Sequence, residues 1–532
     1  MRNSQLFFTS RRFTRRATLS LFGVGVLTTV LAACRQSPAT NTAQTITPTT
    51  PSAQPTAGPS GGTLTPTASP TAVRAYRVET VVSELELGSH RVRTFTYNGQ
   101  LPGPELRVRE GEALRVVVDN RLPEPTTIHW HGIPVPNAMD GVPDVTQPAI
   151  APGTQFTYEF VVPVAGTYFY HTHVGLQLDR GLYGALIVEP RQETLSYDRE
   201  VTLVLDDWLD GIAGTPEDAL RQLVGAGHGD HGMGQNTMPM TPGMGTMPGM
   251  GTMPGMGTMP GMAGGSPQEL TPDLVYPLYL INGRSVDAPF EFAGKRGELL
   301  RLRLINAASA TIFRVALVGH RLRLVQVDGQ PIEPLEGDAL RIGMGERYDV
   351  LVQLDNPGVW PLVAWAEGTD ATALAVLRYE GSSGSLSPVT TRPSELAGEL
   401  LHGLRVRSAN AESAPFTPDL ELPVVLSGGM GQYVWTIDGQ AYPNAEPIRV
   451  KLGQRVRFRL QNMTTMPHPM HLHGHFFRVG QSPQGALRDT VLIDPMQEVT
   501  IDWVADNPGH WAFHCHHLYH QETGMMRIIE VS

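Results

Sequence analysis

The sequence predicts an all-β protein of three β-sandwich domains, because one sequence unit occurs three times along the chain. In each copy a glycine is followed, at the same spacing, by an asparagine: Gly111 and Asn120, Gly297 and Asn306, Gly453 and Asn462. The middle copy alternates as a strand does, with leucines on one face and arginines on the other: Leu300, Leu302 and Leu304 against Arg301 and Arg303. At about 150 residues per domain, 532 residues favour three or four domains.

Only the outer two copies of this unit carry histidine pairs. The first continues to His-Trp-His-Gly at 129–132 and the third to His-Leu-His-Gly at 471–474, again at matching spacing. In the middle copy, the positions that align with His-Cys-His at 514–516 hold none of these residue types: Val363, Ala364 and Trp365. We therefore expect a histidine cluster where the first and third domains meet, with the middle domain as a spacer.

The first 34 residues are predicted to be an export signal. Two arginine pairs precede an apolar run at 19–33 that is too short to span a membrane comfortably as a permanent helix. Residues 14–19 resemble a twin-arginine signal, the export route of proteins that fold with their cofactor before export. Leu-Ala-Ala-Cys at 31–34 resembles a lipobox, which would make Cys34 a lipid anchor outside the cytoplasm. A plain secretory signal is the alternative.

Residues 35–73 consist mainly of Thr, Pro, Ser, Ala and Gly and contain no acidic residue, which predicts a disordered stalk. The predicted domains follow at 74–190, 191–383 and 384–532, the last beginning with a linker. Cys515 is the only cysteine beyond Cys34, so no disulfide is expected within the mature chain. The chain has 40 basic and 51 acidic residues, a formal net charge of −11, which disfavours nucleic acid as a partner.

Ten of the 18 histidines fall in tightly spaced groups in the predicted outer domains. A His-x-His pair on a strand places two imidazoles on one face, an arrangement that suits a metal cluster. One such pair is weak support, because exposed loops often carry one. Three pairs together with His-Cys-His are strong support: His129 and His131, His171 and His173, His471 and His473.

The final segment combines a cysteine with histidines and a methionine. Blue-copper sites use two histidines and a cysteine with a weak axial methionine, and Cys515, His520 and Met525 supply three of these four ligands. On a strand, His514 and His516 would point away from Cys515, so that Cys515 holds one metal while its neighbours hold others. A buried structural cysteine among core histidines is the alternative, and the density of histidines argues against it.

These motifs resemble those of the multicopper oxidase family, the laccases and copper-efflux cuprous oxidases, over residues 74–532. The resemblance implies three cupredoxin-like Greek-key sandwiches and four copper ions. It implies a type 1 copper held by four residues: His468, Cys515, His520 and Met525. It implies a type 2 copper on His129 and His471, and a type 3 pair on two sets: His131, His171 and His516; His173, His473 and His514.

The resemblance also implies an enzyme that takes single electrons from a phenolic compound or Cu(I), passes them along Cys515 and reduces O₂ to water. Copper tolerance is the expected role, and a monomer that touches the membrane only through its lipid anchor is the expected form. A copper-sequestering lipoprotein without enzymatic activity is the alternative. A third possibility is a protein of the cell-division type that keeps the fold but has lost its copper. The full set of ligands argues against the sequestering protein and against the copper-free protein.

The sequence departs from the efflux oxidases at some positions. Their acidic residue four positions before the first type 1 histidine is Thr464 here, although Met466 matches a substrate-copper methionine. The carboxylate that often follows the last type 1 histidine is replaced by glutamine, with Glu522 next to it. Asp140 matches the family's acidic residue near the cluster and is the preferred proton relay. A loop aspartate that caps a turn is its alternative.

Residues 228–262 form an unusual methionine-rich insertion in the middle domain. Gly-Met-Gly-Thr-Met-Pro occurs three times in succession at 243–260, and the Gly and Pro content forbids a regular helix or sheet. Thioethers select Cu(I), so the repeat methionines are candidate ligands for substrate copper: Met244, Met247, Met250, Met253, Met256 and Met259. A low-complexity linker is the alternative.

Overall fold

The computed structural model describes residues 72–226, 271–386, 389, 391–410, 415–429, 431–482 and 484–532. Within these residues the chain forms 31 strands and two α-helices, so the predicted all-β class is confirmed. The predicted signal, nearly all of the predicted stalk and the methionine-rich insertion lie outside the described residues. No helix of the described part is long and apolar enough to cross a membrane.

The first sandwich pairs two four-stranded sheets, ordered β2-β1-β4-β6 and β3-β8-β7-β5. Its first strand begins at the last residue of the predicted stalk. Trp130, between two histidines of β5, is fully buried against Tyr158 and Phe160 of β6, which anchors the histidine-bearing strand to the core. The strands are β1 Val73–Leu87, β2 His90–Tyr97, β3 Gly103–Arg109, β4 Ala113–Asn120, β5 His129–His131, β6 Gln155–Val161, β7 Gly166–His171 and β8 Tyr183–Glu189.

The middle sandwich pairs two six-stranded sheets, ordered β10-β9-β12-β17-β14-β15 and β11-β19-β18-β13-β16-β20. The methionine-rich insertion lies between β9 and β10, which pair directly with each other. The elements are β9 Arg199–Trp208, α1 Pro216–Ala226, β10 Leu278–Ile281, β11 Phe290–Gly294, β12 Leu299–Asn306, β13 Phe313–Leu317, β14 Leu322–Val327, β15 Gln330–Gly337, β16 Ala339–Ile342, β17 Arg347–Gln353, β18 Val359–Ala366, β19 Thr372–Tyr379 and β20 Leu400–Leu401.

The third sandwich pairs a six-stranded sheet, β22-β21-β24-β29-β26-β27, with a five-stranded sheet, β23-β31-β30-β25-β28. A short helix, α2, connects β30 to β31. The elements are β21 Leu420–Gly428, β22 Trp435–Ile437, β23 Ile448–Val450, β24 Arg455–Asn462, β25 His468–Leu472, β26 Phe477–Val479, β27 Leu487–Arg488, β28 Thr490–Ile493, β29 Glu498–Val504, β30 Gly509–Cys515, α2 Leu518–Glu522 and β31 Met526–Val531.

The repeated sequence unit corresponds to equivalent strands in the three sandwiches. β4, β12 and β24 each lie parallel to the first strand of their sandwich and antiparallel to a later one. The asparagine that ends each of these strands is buried, and its amide donates to backbone carbonyls of two loops, as in Asn462 with Met466 and Ile493. This amide ties the end of the strand to the loop that leads to β5, β13 or β25.

Candidate metal centre

Two groups of side chains that can bind metal lie on opposite sides of β30. Cys515 Sγ lies 3.6 Å from His468 Nδ1 and 3.8 Å from His520 Nδ1, and the two ring nitrogens are 3.1 Å apart. All three side chains are fully buried. Three soft or borderline donors face one point, which is the donor set of a blue-copper site.

Backbone hydrogen bonds connect Met525 to Cys515 and His520 of this group. Its carbonyl accepts a hydrogen bond from the Cys515 amide at 3.0 Å, and its own amide donates to the His520 carbonyl at 2.9 Å. The Met525 side chain is fully buried. We call Cys515, His468, His520 and Met525 the cysteine group.

Residues around the cysteine group hold its imidazoles in place. Thr464 Oγ lies 2.8 Å from His468 Nε2, so the residue that replaces the family's acidic side chain still hydrogen-bonds this histidine. His520 Nε2 lies 3.3 Å from an oxygen of Asp273, whose other oxygen is 3.1 Å from His517 Nε2. The His517 ring stacks on the His520 ring, with centroids 3.7 Å apart and planes at 6°.

The remaining eight of the ten motif histidines form a second buried group between the first and third sandwiches. β5 pairs with β7 and β25 pairs with β30, and each pairing brings two histidines opposite each other, His129 with His171 and His471 with His514. Rings from the two sandwiches also stack on each other at 3.8 Å, His129 on His473 and His131 on His471. We call this set the histidine cluster: His129, His131, His171, His173, His471, His473, His514 and His516.

The nitrogens of the histidine cluster are arranged as metal ligands. Five of the rings place Nδ1 against an oxygen acceptor at 2.8–2.9 Å: His129, His171, His471, His473 and His514. Several buried nitrogens have no hydrogen-bond partner among the described residues: Nε2 of His129, His171, His173 and His471, Nδ1 of His131, and both nitrogens of His516. Buried polar atoms are rarely left unpaired, so these inward-facing lone pairs fit bound metal ions.

Burial favours the neutral form of several of these histidines. It lowers the pKa of His514 to about 4 and that of His520 to about 3. Burial and neighbouring imidazoles also hold the pKa of His468, His471 and His473 well below the usual range. Metal-binding imidazoles must be deprotonated, so these five are in the form that binds metal at neutral pH. Burial raises the pKa of the Cys515 thiol, which would lose its proton as copper binds.

Asp140 lies inside the histidine cluster. Its Oδ2 is 2.9 Å from His473 Nδ1, and its backbone carbonyl is 2.8 Å from His129 Nδ1. The side chain is fully buried and its Oδ1 has no hydrogen-bond partner. Asp140 therefore touches ligand-type histidines from both sandwiches, which a carboxylate that only caps the turn before Gly141 would not need to do.

Other predicted residues lie farther from the two groups. Glu522 is exposed at the end of α2, where it accepts a hydrogen bond from Gln521 at 3.4 Å. In the described part of the chain it makes no hydrogen bond to a histidine. The six repeat methionines lie outside the described residues.

A partly open cavity lies beside the cysteine group. His517, Met466, Met344 and Glu367 are among the side chains that line it. His468 and His520 do not line it, because both rings are fully buried. The cavity therefore reaches the cysteine group through His517, the residue stacked on His520.

The sequence and fold that produce these two groups are shared with known proteins. The sequence matches the multicopper oxidase family over residues 80–193, 199–382 and 415–532. The chain belongs to the multicopper oxidase family. It is therefore a copper-dependent oxidoreductase that uses oxygen as electron acceptor, and its sandwiches are cupredoxin-like Greek-key domains.

Relatives within the multicopper oxidases span nearly the whole chain. Multicopper oxidase MmcO of Mycobacterium tuberculosis (strain ATCC 25618 / H37Rv) is 41% identical over 540 residues, covering 97% of this chain and 96% of that protein. Copper resistance protein A of Escherichia coli is 28% identical, covering 84% and 90%. Among solved structures, the multi-copper oxidase of Pseudomonas thermotolerans has a TM-score of 0.64 at 29% identity, covering 86% of this chain and 99% of that one. The laccase of Botrytis aclada has a TM-score of 0.70 at 25% identity, covering 87% and 88%.

Sequence reasoning missed the polar residues that hold the ligand-type histidines of this multicopper oxidase. Asp273 lies just beyond the methionine-rich insertion. Asp489 lies between β27 and β28, and Thr490 begins β28. Asp489 Oδ1 is 3.1 Å and Thr490 Oγ 3.0 Å from His131 Nε2. None of the three belongs to a histidine motif, so no sequence signal pointed to them.

Proposed function

We propose that this multicopper oxidase couples the one-electron oxidation of Cu(I) or phenolic compounds to the four-electron reduction of O₂ to water. The observation that carries the proposal is the position of Cys515. Its sulfur belongs to the cysteine group, while the residues on either side of it, His514 and His516, belong to the histidine cluster. Electrons received in the cysteine group then have a short covalent path to the histidine cluster.

We propose four bound copper ions, one of type 1 in the cysteine group and three in the histidine cluster. When bound, copper supplies one-electron redox chemistry to the first group and oxygen reduction to the second. The assignment gives the type 2 ion to His129 and His471. It gives the type 3 pair to two sets: His131, His171 and His516; His173, His473 and His514. The close approach of potential ligand atoms in His173, His473 and His514 and in His468, Cys515 and His520 supports this assignment.

Asp140 is our proposed proton relay to the histidine cluster. Reduction of O₂ to water consumes protons inside a buried site, so a titratable group must lie beside the ligands. The buried carboxylate of Asp140 has one oxygen 2.9 Å from His473 Nδ1 and the other 3.3 Å from His129 Nδ1, so it meets that requirement. Glu522, exposed at the end of α2, has no comparable contact, and Cys515 carries electrons rather than protons.

On the reductant side, we propose that substrates contact His517 rather than a ligand of the type 1 copper. His517 lines the cavity, stacks on His520 and shares Asp273 with it. The thioether of Met466 favours a soft cation, and the negative charge of Asp273 attracts cations in general, so Cu(I) is the preferred substrate and phenols are second. Several similar proteins are named copper resistance protein A, which supports a role in copper tolerance.

The location of the protein is a separate proposal that rests on the sequence alone. The arginine-rich first segment and the lipobox at 31–34 support export in the folded state and lipid anchoring at Cys34. We propose a monomer outside the cytoplasm, with domain limits at 74–190, 191–383 and 384–532 and the methionine repeats at 243–260 as collectors of Cu(I).

Oxygen uptake by the copper-loaded protein tests the proposed function. We expect uptake with Cu(I) and with a dimethoxyphenol, and Asp273→Asn should slow the reaction with Cu(I) more than that with the neutral phenol, since it removes a negative charge. Tyr433→Phe is the matched control, because the Tyr433 hydroxyl donates to Asp273 but carries no charge itself. Tight copper binding without oxygen uptake from either reductant would instead support the sequestering alternative.

A further inference from the structure

A buried arginine of the middle sandwich reaches the histidine cluster through one carboxylate. Arg347 opens β17 and is fully buried. Its guanidinium donates to both oxygens of Asp489, with Nη1 at 2.7 Å from Oδ1. Its Nε donates to the Thr167 carbonyl at 3.2 Å. One side chain therefore connects β17 of the middle sandwich, the loop before β28 of the third and β7 of the first.

Asp489 also contacts two histidines of the cluster. Its Oδ1 lies 3.1 Å from His131 Nε2, and its backbone carbonyl lies 2.8 Å from His471 Nδ1. Thr490 Oγ is within 3.1 Å of the same two nitrogens. The His131 and His471 rings stack at 3.8 Å with planes at 11°. Asp489 and Thr490 therefore fix one face of the cluster, the face built from a histidine of each outer sandwich.

Asp489 also determines which nitrogen of His131 is free. Because Oδ1 occupies the Nε2 side, the nitrogen of His131 left without a partner is Nδ1. His129, His171 and His471 show the opposite arrangement, with Nδ1 bonded to a carbonyl and Nε2 free. The ring of His131 is thus turned relative to these neighbours, and the fixed side chain of Asp489 is what selects that orientation.

Two glycines show how closely the middle sandwich approaches the cluster. Gly132, which follows His131, has φ +85°, and a Cβ there would lie 2.4 Å from Arg347 Nη2 and from Asp489 Oδ2. Gly345, two residues before Arg347, has φ +80°, and its Cβ would lie 2.9 Å from His516 and 3.0 Å from His131. The glycine of His-Trp-His-Gly therefore makes room for the Arg347–Asp489 pair, and the middle sandwich is more than the predicted spacer.

We propose that Arg347 is a positioning residue for the oxygen-reducing centre. By holding both oxygens of Asp489, it fixes the tautomer and ring orientation of His131 and, through the stacked ring, of His471. Partners of this kind orient metal-binding histidines, and their loss typically lowers metal affinity or activity about 10- to 100-fold. The proposal rests on the proposed copper-binding roles of His131 and His471.

Arg347→Lys tests this proposal, because lysine keeps the charge but cannot form two parallel hydrogen bonds to one carboxylate. Arg488→Lys is the matched control. Arg488 is equally buried and donates to Asp328 at 2.8 Å and to Glu346 at 2.7 Å. Asp328 also lies 3.4 Å from Arg347 Nη1, so this variant disturbs the same ion-pair network without removing a contact to the Asp489 side chain. Neither Asp328 nor Glu346 hydrogen-bonds a histidine in the described residues. The readouts are copper content, the electron paramagnetic resonance spectrum of the cluster, and the colour and potential of the type 1 copper.

We expect Arg347→Lys to weaken copper binding in the cluster about 10- to 100-fold and to change its resonance spectrum, with the blue colour and type 1 potential retained. Arg488→Lys should leave the spectrum unchanged. If Arg347→Lys does not fold, Asp489→Asn, which keeps the side-chain shape but removes the charge, should give the same spectral change.

Three results would overturn the proposal: an unchanged spectrum in Arg347→Lys, the same change in Arg488→Lys, or a normal cluster in Asp489→Asn. These results differ from failure of the proposed function. In that case the wild-type protein would itself bind no copper in the histidine cluster or would reduce no oxygen. The two proposals can therefore fail separately.

Discussion

At the scale of single residues, Met525 tests the character of the cysteine group. An axial thioether binds copper weakly and tunes its potential, so Met525→Leu should leave the protein blue and raise the type 1 potential. Leucine has nearly the volume of methionine, and the backbone bonds of Met525 to Cys515 and His520 do not depend on the side chain. A redox titration of the blue band measures the shift. Loss of the type 1 copper in Met525→Leu would show that the thioether is needed to build the site.

The ligand-type residues were predictable because their chemistry is local in the sequence. The His-x-His and His-Cys-His motifs can be recognised by their spacing alone. The structure brings all ten predicted histidines and Cys515 into two groups. Asp273, Asp489 and Arg347 were not predictable, because each acts on histidines from a distant part of the chain, Arg347 through Asp489. Buried carboxylates and arginines have no sequence pattern that distinguishes them from the exposed majority.

At the scale of elements, β30 follows the simple alternation of a strand, and β12 departs from it. In β30, Cys515 points to one group and His514 to the other. In β12 the leucine face is buried as predicted, but Arg301 and Arg303 are only 2% exposed as well. Their face packs against the first sandwich, where Arg303 donates to Thr167 Oγ at 2.8 Å. Alternation alone cannot show that the polar face of a strand is covered by another domain.

The buried arginines of β12 predict a large cost for removing their shared partner. Asp349 is buried, and its Oδ2 accepts from Arg301 Nε at 2.9 Å and from Arg303 Nη1 at 3.2 Å. Asp349→Ala leaves two buried guanidinium groups short of a partner, so it should lower the free energy of unfolding by about 3–5 kcal/mol. Chemical denaturation of the copper-free protein measures this change.

Glu159→Ala is the control for this prediction. Glu159 pairs with Arg115 at 3.5 Å, and both side chains are about half exposed. Exposed pairs contribute about 0–1 kcal/mol, so the loss should be small. Equal effects of the two substitutions would contradict the claim that the covered face of β12 depends on its ion pairs.

At the scale of the whole molecule, the three-fold sequence repeat predicted the three sandwiches but not how they interlock. The linker predicted at the start of 384–532 adds β20 to the middle sandwich by pairing with β16. The middle sandwich, which lacks ligand histidines, places Gly345 and Arg347 against the cluster. Repeats reveal what the domains share, whereas the contacts of Arg347 come from a residue that the first copy replaces with Gln155.

The pKa values of the buried histidines predict how the copper-free protein responds to acid. Unfolded histidine has a pKa of about 6.5, whereas burial lowers that of folded His514 to about 4 and of His520 to about 3. The unfolded chain therefore takes up these protons first as the pH falls. The contribution of these two histidines to the free energy of unfolding is fully present above about pH 6.5. It is lost progressively as the pH falls towards their folded pKa values.

Thermal unfolding of copper-free protein at a series of pH values measures this loss. The double variant His514→Gln, His520→Gln lacks both groups and should show a shallower fall in Tm over the same range. If the double variant and the wild-type protein lose stability in parallel, other groups govern the acid response.

The copper content and oxygen uptake of Cys515→Ser test the central claim that this residue joins two copper-binding groups. The wild-type protein should bind four copper ions, be blue and take up oxygen with a reductant. Cys515→Ser should lose the blue colour and the type 1 copper, retain copper in the histidine cluster and no longer transfer electrons from reductant to oxygen. A blue Cys515→Ser protein, or one that takes up oxygen at the wild-type rate, would contradict the account.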